Sequence, residues 1–112
     1  MEGKIVLVVF PQDAMGKLRP AFVLREFPKY GDVLVCGIST QINQYIPGLD
    51  LLINPNHPDF ALSGLKAASI CRLSMLAMVA TQNIRGTVGA LRPATHAALL
   101  KSLSDYLIKS KT

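Results

Sequence analysis

The sequence predicts a small, mainly β (α+β) protein in which a curled antiparallel sheet or barrel is capped by one C-terminal helix. Short apolar runs rich in β-branched residues recur along the chain, and glycine and proline separate them. Apolar residues with helical spacing are confined to the end of the chain. Because 112 residues can supply one hydrophobic core but not two, we expect a single domain over residues 1–112.

Five to seven short strands are expected, joined by loops that contain the turn residues. In chain order they are residues 4–10, 19–26, 33–39, 51–53 and 67–73, then 76–80 as either a further strand or the start of a short helix, and 88–91. Gly37 lies inside the third run, where a glycine indicates a bulge or a close backbone approach.

The clearest helix is predicted to begin at Pro93, because proline suits the first helical position. An apolar stripe recurs at helical spacing and consists of Leu99, Leu100, Leu103, Tyr106 and Leu107. Lys101 and Asp105 fall on the opposite face, where a pair four residues apart supports a helix. Lys109 and Lys111 suit the negative end of the helix dipole.

The net charge of +5 is unevenly distributed along the chain. Residues 1–59 hold five Lys/Arg and six Asp/Glu, a balance of −1, whereas residues 60–112 hold seven Lys/Arg and one Asp, a balance of +6. No acidic residue occurs from Phe60 to Ser104. This asymmetry suggests a polyanionic partner, either a nucleic acid or an acidic protein tail. The alternative is a basic surface that only confers solubility.

Several kinds of protein and site are disfavoured by what the sequence lacks. No apolar run reaches the roughly 18 residues that cross a membrane, and no basic-then-apolar leader opens the chain, so we expect a cytoplasmic protein. Cys36 and Cys71 fit no metal or redox spacing and are expected to be small buried hydrophobic residues. No phosphate-binding glycine loop, serine elbow or cluster of metal ligands is present, so we expect no cofactor and no metal. A two-histidine nuclease would need His57 and His96 to meet, and they are far apart in the sequence.

Residues 16–24 carry the first candidate for chemistry, because a loop here turns directly into a buried strand. Gly16 and Lys17 suit a turn, and Pro20 lacks a backbone N–H, so it suits the beginning of a strand. Arg19 would therefore be held stiffly at the mouth of the sheet, where a guanidinium can bind a phosphate. The alternative is that Arg19 is an ordinary solvated side chain.

Ser39 is the second candidate, because it ends the third strand and precedes the polar residues Thr40 and Gln41. If the second and third strands form a hairpin that turns around residues 28–31, Arg19 and Ser39 lie at the same end of the pair. Cleavage of RNA requires stabilisation of an anionic phosphorane and a polar group near the 2′-hydroxyl or the leaving oxygen. Arg19 can supply the first and Ser39 can help with the second. Alternatively, the Ser39 hydroxyl only caps the strand end or the loop.

A series of short motifs follows one another along nearly the whole chain. They are Lys4-Ile5-Val6-Leu7-Val8, Phe10-Pro11, Lys17-Leu18-Arg19-Pro20-Ala21-Phe22-Val23-Leu24, Ile38-Ser39-Thr40, Ser63-Gly64-Leu65-Lys66, Ser69-Ile70-Cys71-Arg72-Leu73 and Val88-Gly89-Ala90-Leu91. Their order and spacing resemble the MazF/PemK (Kid-like) toxin family. The segment that begins Arg19-Pro20-Ala21 after a glycine-containing loop is the most specific part of the resemblance.

The resemblance implies an SH3-like barrel with a C-terminal helix, the CcdB/MazF-like fold, usually as a homodimer. It also implies the toxin of a type II toxin–antitoxin pair, with metal-independent, sequence-selective cleavage of single-stranded RNA as the usual activity. The partner would be an acidic, partly disordered antitoxin that fills the RNA groove, and operator DNA would be bound only through that antitoxin.

The resemblance also assigns roles to individual residues. The catalytic arginine of the family corresponds to Arg19, and its catalytic Thr/Ser corresponds to Ser39. Residues 11–17 would form a mobile flap over the RNA site. The residues expected to line the RNA groove are Lys17, Thr40, Gln41, Lys66 and Arg72.

One segment departs from the family pattern and keeps a second function open. Many members carry Arg-Thr-Ile-Asp where this chain has Ala77-Met78-Val79-Ala80. In one interpretation Arg72 supplies the missing positive charge. In the other, the protein is a degenerate member that only binds nucleic acid or protein, either as a corepressor with its antitoxin or as an inhibitor like the related gyrase-poisoning toxins. A small barrel with a purely structural role would leave the Arg19-Pro20 segment unexplained.

Overall fold

The computed structural model of the protein describes residues 1–109, which contain six strands and two α-helices. In chain order these are β1 (Lys4–Val9), β2 (Leu18–Glu26), β3 (Asp32–Ser39), β4 (Leu51–Ile53), α1 (Phe60–Ser63), β5 (Ser69–Ala80), β6 (Gly86–Ala90) and α2 (Pro93–Leu107). Single turns of 3₁₀-helix occur at Ile42–Gln44 and Thr81–Asn83. Within residues 1–109, neither α-helix combines the length and the apolar character that a membrane crossing requires.

The six strands form one antiparallel sheet in the order β4-β5-β3-β2-β1-β6. Two short strands, β4 and β6, are its edges. With a C-terminal helix added, this arrangement confirms the predicted fold class, a small curled antiparallel sheet with a helical cap.

Both faces of the sheet are packed, because alternate residues of the central strands point to opposite sides. On one face Ile5 and Phe22 join a cluster that includes Leu99 and Leu103 of α2. On the other face lies a second cluster, whose buried members are Val6, Val8, Phe10, Ala21, Val23, Val33, Val35 and Val79. Because both faces are buried, the central strands are continuous apolar runs in the sequence. Each large apolar side chain removed from water contributes about 1.5–3 kcal/mol to stability.

The prediction of separate elements at residues 67–73 and 76–80 is wrong, because both belong to the single long strand β5. Cys36 pairs with Leu76, whereas the next residue of β3, Gly37, pairs with Arg72. The extra residues of β5 bulge at this step, and the strand continues without a break. A Cβ at Gly37 would lie 2.7 Å from the sulfur of Met75. Gly37 thus marks the bulge that its position in the third run indicated.

The segment before β5 contains a short helix, α1, that the sequence analysis did not predict. Its C-terminal end packs closely on β6, since a Cβ added at Gly89 would overlap the backbone of Ser63. The buried carboxylate of Asp59 precedes α1 and accepts a hydrogen bond from the backbone N–H of Arg92 at 3.1 Å. The Arg92 guanidinium also contacts this carboxylate. These contacts join α1 to the beginning of α2.

The helix α2 begins at Pro93, as predicted, and buries Leu99 and Leu103. Lys101 and Asp105 form the predicted pair, with 2.8 Å between the ammonium and the carboxylate. The predicted apolar stripe is only partly buried, since Tyr106 and Leu107 at the last turn are exposed. Lys111, predicted to lie near the end of this helix, is outside the described residues.

Candidate functional site

A cleft of about 460 Å³ lies where β2, β3 and β5 meet the loop between β1 and β2. We call it the first cleft. Its walls contain five of the seven residues that the sequence analysis assigned to an RNA site, namely Arg19, Ser39, Thr40, Gln41 and Arg72. The protein therefore brings together residues that are up to 53 positions apart (72 − 19) in the chain.

Strand pairing explains why these residues meet. In the antiparallel pair of β2 and β3, Ala21 lies opposite Gly37, so Arg19 and Ser39 are at the same end. This confirms the hairpin that the sequence analysis assumed. On the other side of β3, Gly37 pairs with Arg72. Arg72 therefore enters the same cleft from the neighbouring strand.

Arg19 is held by an acidic residue of the β1–β2 loop. Its Nε lies 3.3 Å from a carboxylate oxygen of Asp13, and the Arg19 side chain is 48% exposed. The backbone N–H of Met15, which donates to Asp13 at 2.9 Å, and the contact with Arg19 together hold the pKa of the Asp13 carboxyl below its usual range. Contact through Nε leaves the terminal nitrogens of the guanidinium able to bind another anion, and residues 1–109 provide them with no hydrogen bond.

The Ser39 hydroxyl takes part in a local turn. Its oxygen accepts a hydrogen bond from the backbone N–H of Gln41 at 3.0 Å. This is the capping contact that the sequence analysis gave as an alternative role. Since the hydroxyl acts here only as an acceptor, its proton is available to a second partner in the first cleft.

Arg72 carries a buried donor without a partner. Its Nε is inaccessible to solvent and makes no hydrogen bond within the described part of the chain. A buried donor left unsatisfied costs about 1–3 kcal/mol, and such a group in a native structure calls for an explanation. The Arg72 side chain as a whole is only half-buried and lines the first cleft, so other atoms of its guanidinium group can meet an anion there.

The β1–β2 loop closes one side of the first cleft. Phe10 anchors the beginning of the loop in the core, with only 1% of its surface exposed. The side-chain amide of Gln12 donates to the backbone carbonyl of Leu76 at 3.2 Å and so links the loop to β5. Gly16, near the end of the loop, has a φ of +68°, a conformation that favours glycine and agrees with the predicted turn.

Two of the predicted RNA-binding residues do not line the first cleft. Lys17 is exposed at the end of the β1–β2 loop, and Lys66 is exposed in the loop before β5. Lys17 is two residues before Arg19 in the chain, and Lys66 is six residues before Arg72, so each precedes a residue that lines the first cleft.

The histidines have structural partners away from the first cleft. Nδ1 of His57 accepts a hydrogen bond from the backbone N–H of Asp59 at 3.0 Å. The His96 ring lies edge-on to Phe22, and its Nε2 is 2.8 Å from the carbonyl oxygen of Leu24. Neither histidine lines the first cleft, so the structure gives no support to a two-histidine site there.

Cys36 and Cys71 are both fully buried, as predicted. A hydrogen bond with Cys36 and burial raise the pKa of the Cys71 thiol well above its usual value. No group of three or more His, Cys, Asp or Glu side chains that could hold a metal ion occurs within residues 1–109.

The sequence analysis placed Gln12 and Asp13 only within the predicted flap over the RNA site, residues 11–17, without roles of their own, and it did not identify Met75. Asp13 lies six residues before Arg19, and this proximity in the chain was the only signal for their contact. Gln12 and Met75 gave no signal, because they reach the first cleft only through the folding of the loop and the bulge in β5.

Comparison with protein families gives one match over almost the whole chain. Residues 1–107 match the model described as "PemK-like, MazF-like toxin of type II toxin-antitoxin system". A search of curated proteins gives no significant match.

Solved structures similar to this chain include mycobacterial toxins. The Mycobacterium tuberculosis toxin MazF-mt6 superposes with a TM-score of 0.71 at 16% identity, over 96% of this chain and 99% of the other. A mycobacterial endoribonuclease described in complex with its cognate antitoxin gives a TM-score of 0.69 at 12% identity, over 100% and 98% of the two chains. Another mycobacterial endoribonuclease gives 0.65 at 11% identity, over 100% and 94%. At these identities the likeness establishes the fold.

Proposed function

The chain belongs to the PemK-like, MazF-like family of type II toxin–antitoxin toxins, and from this premise we propose that it is an endoribonuclease that cuts single-stranded RNA in the first cleft. The observation that carries the proposal is the convergence of Arg19, Ser39 and Arg72 on that cleft. Two guanidinium groups and a hydroxyl form a site for a phosphodiester, because planar guanidinium groups match phosphate oxygens.

The proposed reaction needs no group beyond the RNA and the protein. The 2′-oxygen attacks the adjacent phosphorus, the bond to the 5′-oxygen breaks, and a 2′,3′-cyclic phosphate and a 5′-hydroxyl result. The proton lost by the 2′-hydroxyl is balanced by the proton gained by the leaving oxygen. The reaction is metal-independent in this proposal.

Arg19 and Ser39 have different roles in this reaction. The terminal nitrogens of Arg19 donate to the phosphorane oxygens, where negative charge develops, while Asp13 holds the side chain through Nε. Ser39 positions or relays a proton at the scissile phosphate, since its hydroxyl hydrogen is not used in the turn with Gln41.

The remaining polar residues bind and orient the substrate. Arg72 donates to a phosphate through a guanidinium whose Nε has no other partner among residues 1–109. Thr40 and Gln41 extend the wall beyond Ser39, where their side chains can contact sugar and base edges and so contribute to sequence selectivity. Lys17 and Lys66 attract the RNA backbone at the approaches to the first cleft.

Replacing Arg19 with alanine tests the proposal. We expect Arg19→Ala to lower the rate of cleavage of a mixed-sequence single-stranded RNA by about 10² or more, the scale for loss of one preorganised donor. Wild-type cleavage should persist in EDTA. Arg25→Ala is the matched control, because Arg25 lies on the same strand but contacts Glu2 at 3.5 Å, away from the first cleft.

Two outcomes of this experiment would contradict parts of the proposal. A loss below tenfold for Arg19→Ala would remove Arg19 from the mechanism. Cleavage abolished by EDTA and restored by a divalent cation would contradict the metal-independent reaction.

We further propose an acidic antitoxin as the protein partner, acting by occupying the first cleft. One structural relative is described in complex with its cognate antitoxin, and the second half of this chain carries a balance of +6. The same proposal includes a homodimer in the cytoplasm that contacts operator DNA only through the antitoxin.

A binding protein without catalysis is the second candidate. It is favoured by the composition of β5, where Ala77 and Ala80 stand in place of charged residues. If folded wild-type protein binds RNA or an acidic antitoxin but leaves every RNA intact, this function replaces the nuclease.

A further inference from the structure

A second cleft, of about 410 Å³, lies beside the first and shares Phe10 and Asp13 with it. It is formed where the end of β1 approaches the end of β5 and the turn that leads to β6. Its lining includes Val9, Met78, Asn83 and Arg85.

The two clefts are consecutive along β5. Met75 lines the first cleft and Met78 lines the second. Between them, the carbonyl of Leu76 accepts the hydrogen bond from Gln12, so the β1–β2 loop is attached to β5 near the boundary between the clefts. Three residues of a strand span about 10 Å, and one extended strand of RNA can therefore occupy both clefts.

The charges of the second cleft suit a phosphate. Arg85 is exposed and forms no ion pair within residues 1–109. Its backbone N–H donates to the carbonyl of Leu7 at 2.9 Å, which fixes the base of the side chain. Among residues 1–109, Asp13 is the only acidic residue lining either cleft, and its carboxylate is already engaged by Met15 and Arg19.

The other walls of the second cleft suit a nucleobase. Val9 and Met78 are large apolar side chains that remain 38% and 45% exposed. The amide of Asn83 offers a donor and an acceptor side by side, as needed to read the edge of a base. A run of acidic side chains would use Arg85 but would leave the apolar wall of Val9 and Met78 without a counterpart.

We propose that the second cleft binds a nucleotide that lies immediately to one side of the scissile bond. Arg85 contacts the phosphate of this nucleotide. Val9 and Met78 pack against its base, and Asn83 bonds to the edge of the base. This proposal rests on the proposed function and adds a specificity-determining subsite to it.

The test combines a variant with shortened substrates. Single-stranded RNAs around a mapped cleavage site are shortened one nucleotide at a time from either end, and kcat/KM is measured for wild type, Arg85→Gln and the control Arg25→Gln. We expect Arg85→Gln to lower kcat/KM about tenfold on the full RNA, the scale of one lost charge-assisted hydrogen bond. That loss should vanish once the contacted nucleotide is removed from one side, whereas Arg25→Gln should match wild type throughout.

A base-preference measurement checks the assignment of Asn83. Asn83→Ala should reduce discrimination among the four bases at the nucleotide identified by the Arg85 series and leave discrimination elsewhere unchanged. Loss of discrimination at a different nucleotide would contradict the assignment.

The outcomes separate this inference from the proposed function. If wild type cleaves and Arg85→Gln is equally active on every RNA, the subsite is wrong and the nuclease stands. The subsite is also wrong if Arg85→Gln weakens binding of an acidic peptide but not of RNA. If wild type does not cleave, the nuclease is wrong and the subsite is judged by fluorescence polarisation on the same RNA series, where the length-dependent loss should appear in Kd. Absence of RNA binding by wild type would overturn both.

Discussion

At the residue scale, the two arginines of the first cleft differ in how they are held. Asp13 holds Arg19 through Nε, so the position of the guanidinium depends on the loop, whereas Arg72 comes from a central strand and its Nε has no partner among the described residues. Ser39 ends β3, which pairs on one side with β2, the strand of Arg19, and on the other side with β5, the strand of Arg72. The backbone N–H of Gln41 sets the position of the Ser39 hydroxyl. Substitution of Ser39 can therefore distinguish a catalytic role of the hydroxyl from a capping role.

Substitution of Ser39 tests whether its hydroxyl acts on the substrate. We expect Ser39→Ala to lower kcat about 10²-fold, the lower range for loss of a group that moves a proton. Ser39→Thr keeps the hydroxyl and should remain within about tenfold of wild type. Steady-state cleavage of a fluorogenic RNA would measure both, with Ser74→Ala, an exposed serine of β5, as the control.

A second readout separates catalysis from capping. If Ser39→Ala lowers the melting temperature and leaves kcat unchanged, the hydroxyl only stabilises the turn with Gln41, and its catalytic role is wrong.

At the scale of secondary-structure elements, the helices are joined through one buried carboxylate. Asp59 precedes α1, and it accepts hydrogen bonds from Thr95 and from the backbone and guanidinium of Arg92, at the beginning of α2. Because α1 also packs on β6, this carboxylate links the edge of the sheet to the helix that covers one of its faces. The contact stabilises the fold away from the first cleft.

Replacement of Asp59 should therefore affect stability and spare activity. We expect Asp59→Ala to lower the free energy of unfolding by about 1–3 kcal/mol, because buried donors lose their acceptor. Asp105→Ala, which removes an exposed partner of Lys101, should change it by no more than about 0.5 kcal/mol. Urea unfolding at pH 7 measures both, and equal effects of the two variants would contradict the assignment.

The pH dependence of this contribution has a definite sign. Burial raises the pKa of Asp59, but hydrogen bonds from Thr95 and Arg92 outweigh it and lower the pKa below the ordinary value of 3.8. The stability advantage of wild type over Asp59→Asn should be full above about pH 4 and should shrink as pH falls through the folded-state pKa. Unfolding curves between pH 7 and pH 2 test this. An advantage that grows on acidification would show that folding raises the pKa of Asp59 instead of lowering it.

At the scale of the whole molecule, the basic second half of the sequence supplies one arginine to each cleft. Arg72 lines the first cleft and Arg85 lines the second, and both lie in the stretch from Phe60 to Ser104 that contains no acidic residue. The first half contributes Arg19 together with Asp13, which partly offset each other. Because of this uneven charge, each of the two clefts contains an arginine from the basic half of the chain.

RNA binding should depend on salt in a way that reports these contacts. For a single-stranded RNA, each phosphate contact contributes about −0.7 to the slope of log Kobs against log[salt]. We expect Arg72→Gln to make the slope less steep by about 0.7, whereas Lys101→Gln, on the exposed face of α2, should leave it unchanged. Titrations of labelled RNA between 50 and 200 mM salt, roughly the range over which this effect is measured, would decide. An unchanged slope for Arg72→Gln would remove it from the phosphate contacts.

Local patterns in the sequence predicted most secondary-structure elements but not which neighbouring segments form one continuous element. The continuous apolar runs of β1 to β3 and the helical spacing after Pro93 were sufficient, because a strand buried on both faces is apolar throughout and a helix buried on one face repeats its apolar residues with its own period. The joining of residues 67–73 and 76–80 into one strand was missed. Its cause is the bulge opposite Gly37, a feature of the pairing between two strands. The helix α1 was missed because its four residues are too short for a periodic signal.

The sequence by itself determined the kind of fold, the position of the C-terminal helix and the meeting of Arg19 with Ser39. These follow from short-range patterns and from the antiparallel pairing of neighbouring strands. Only the tertiary structure decided that Asp13 holds Arg19, that the Nε of Arg72 is buried without a partner among residues 1–109 and that Arg85 lines a second cleft. Such contacts depend on how loops and distant strands approach one another in space, and no local pattern in the chain encodes them.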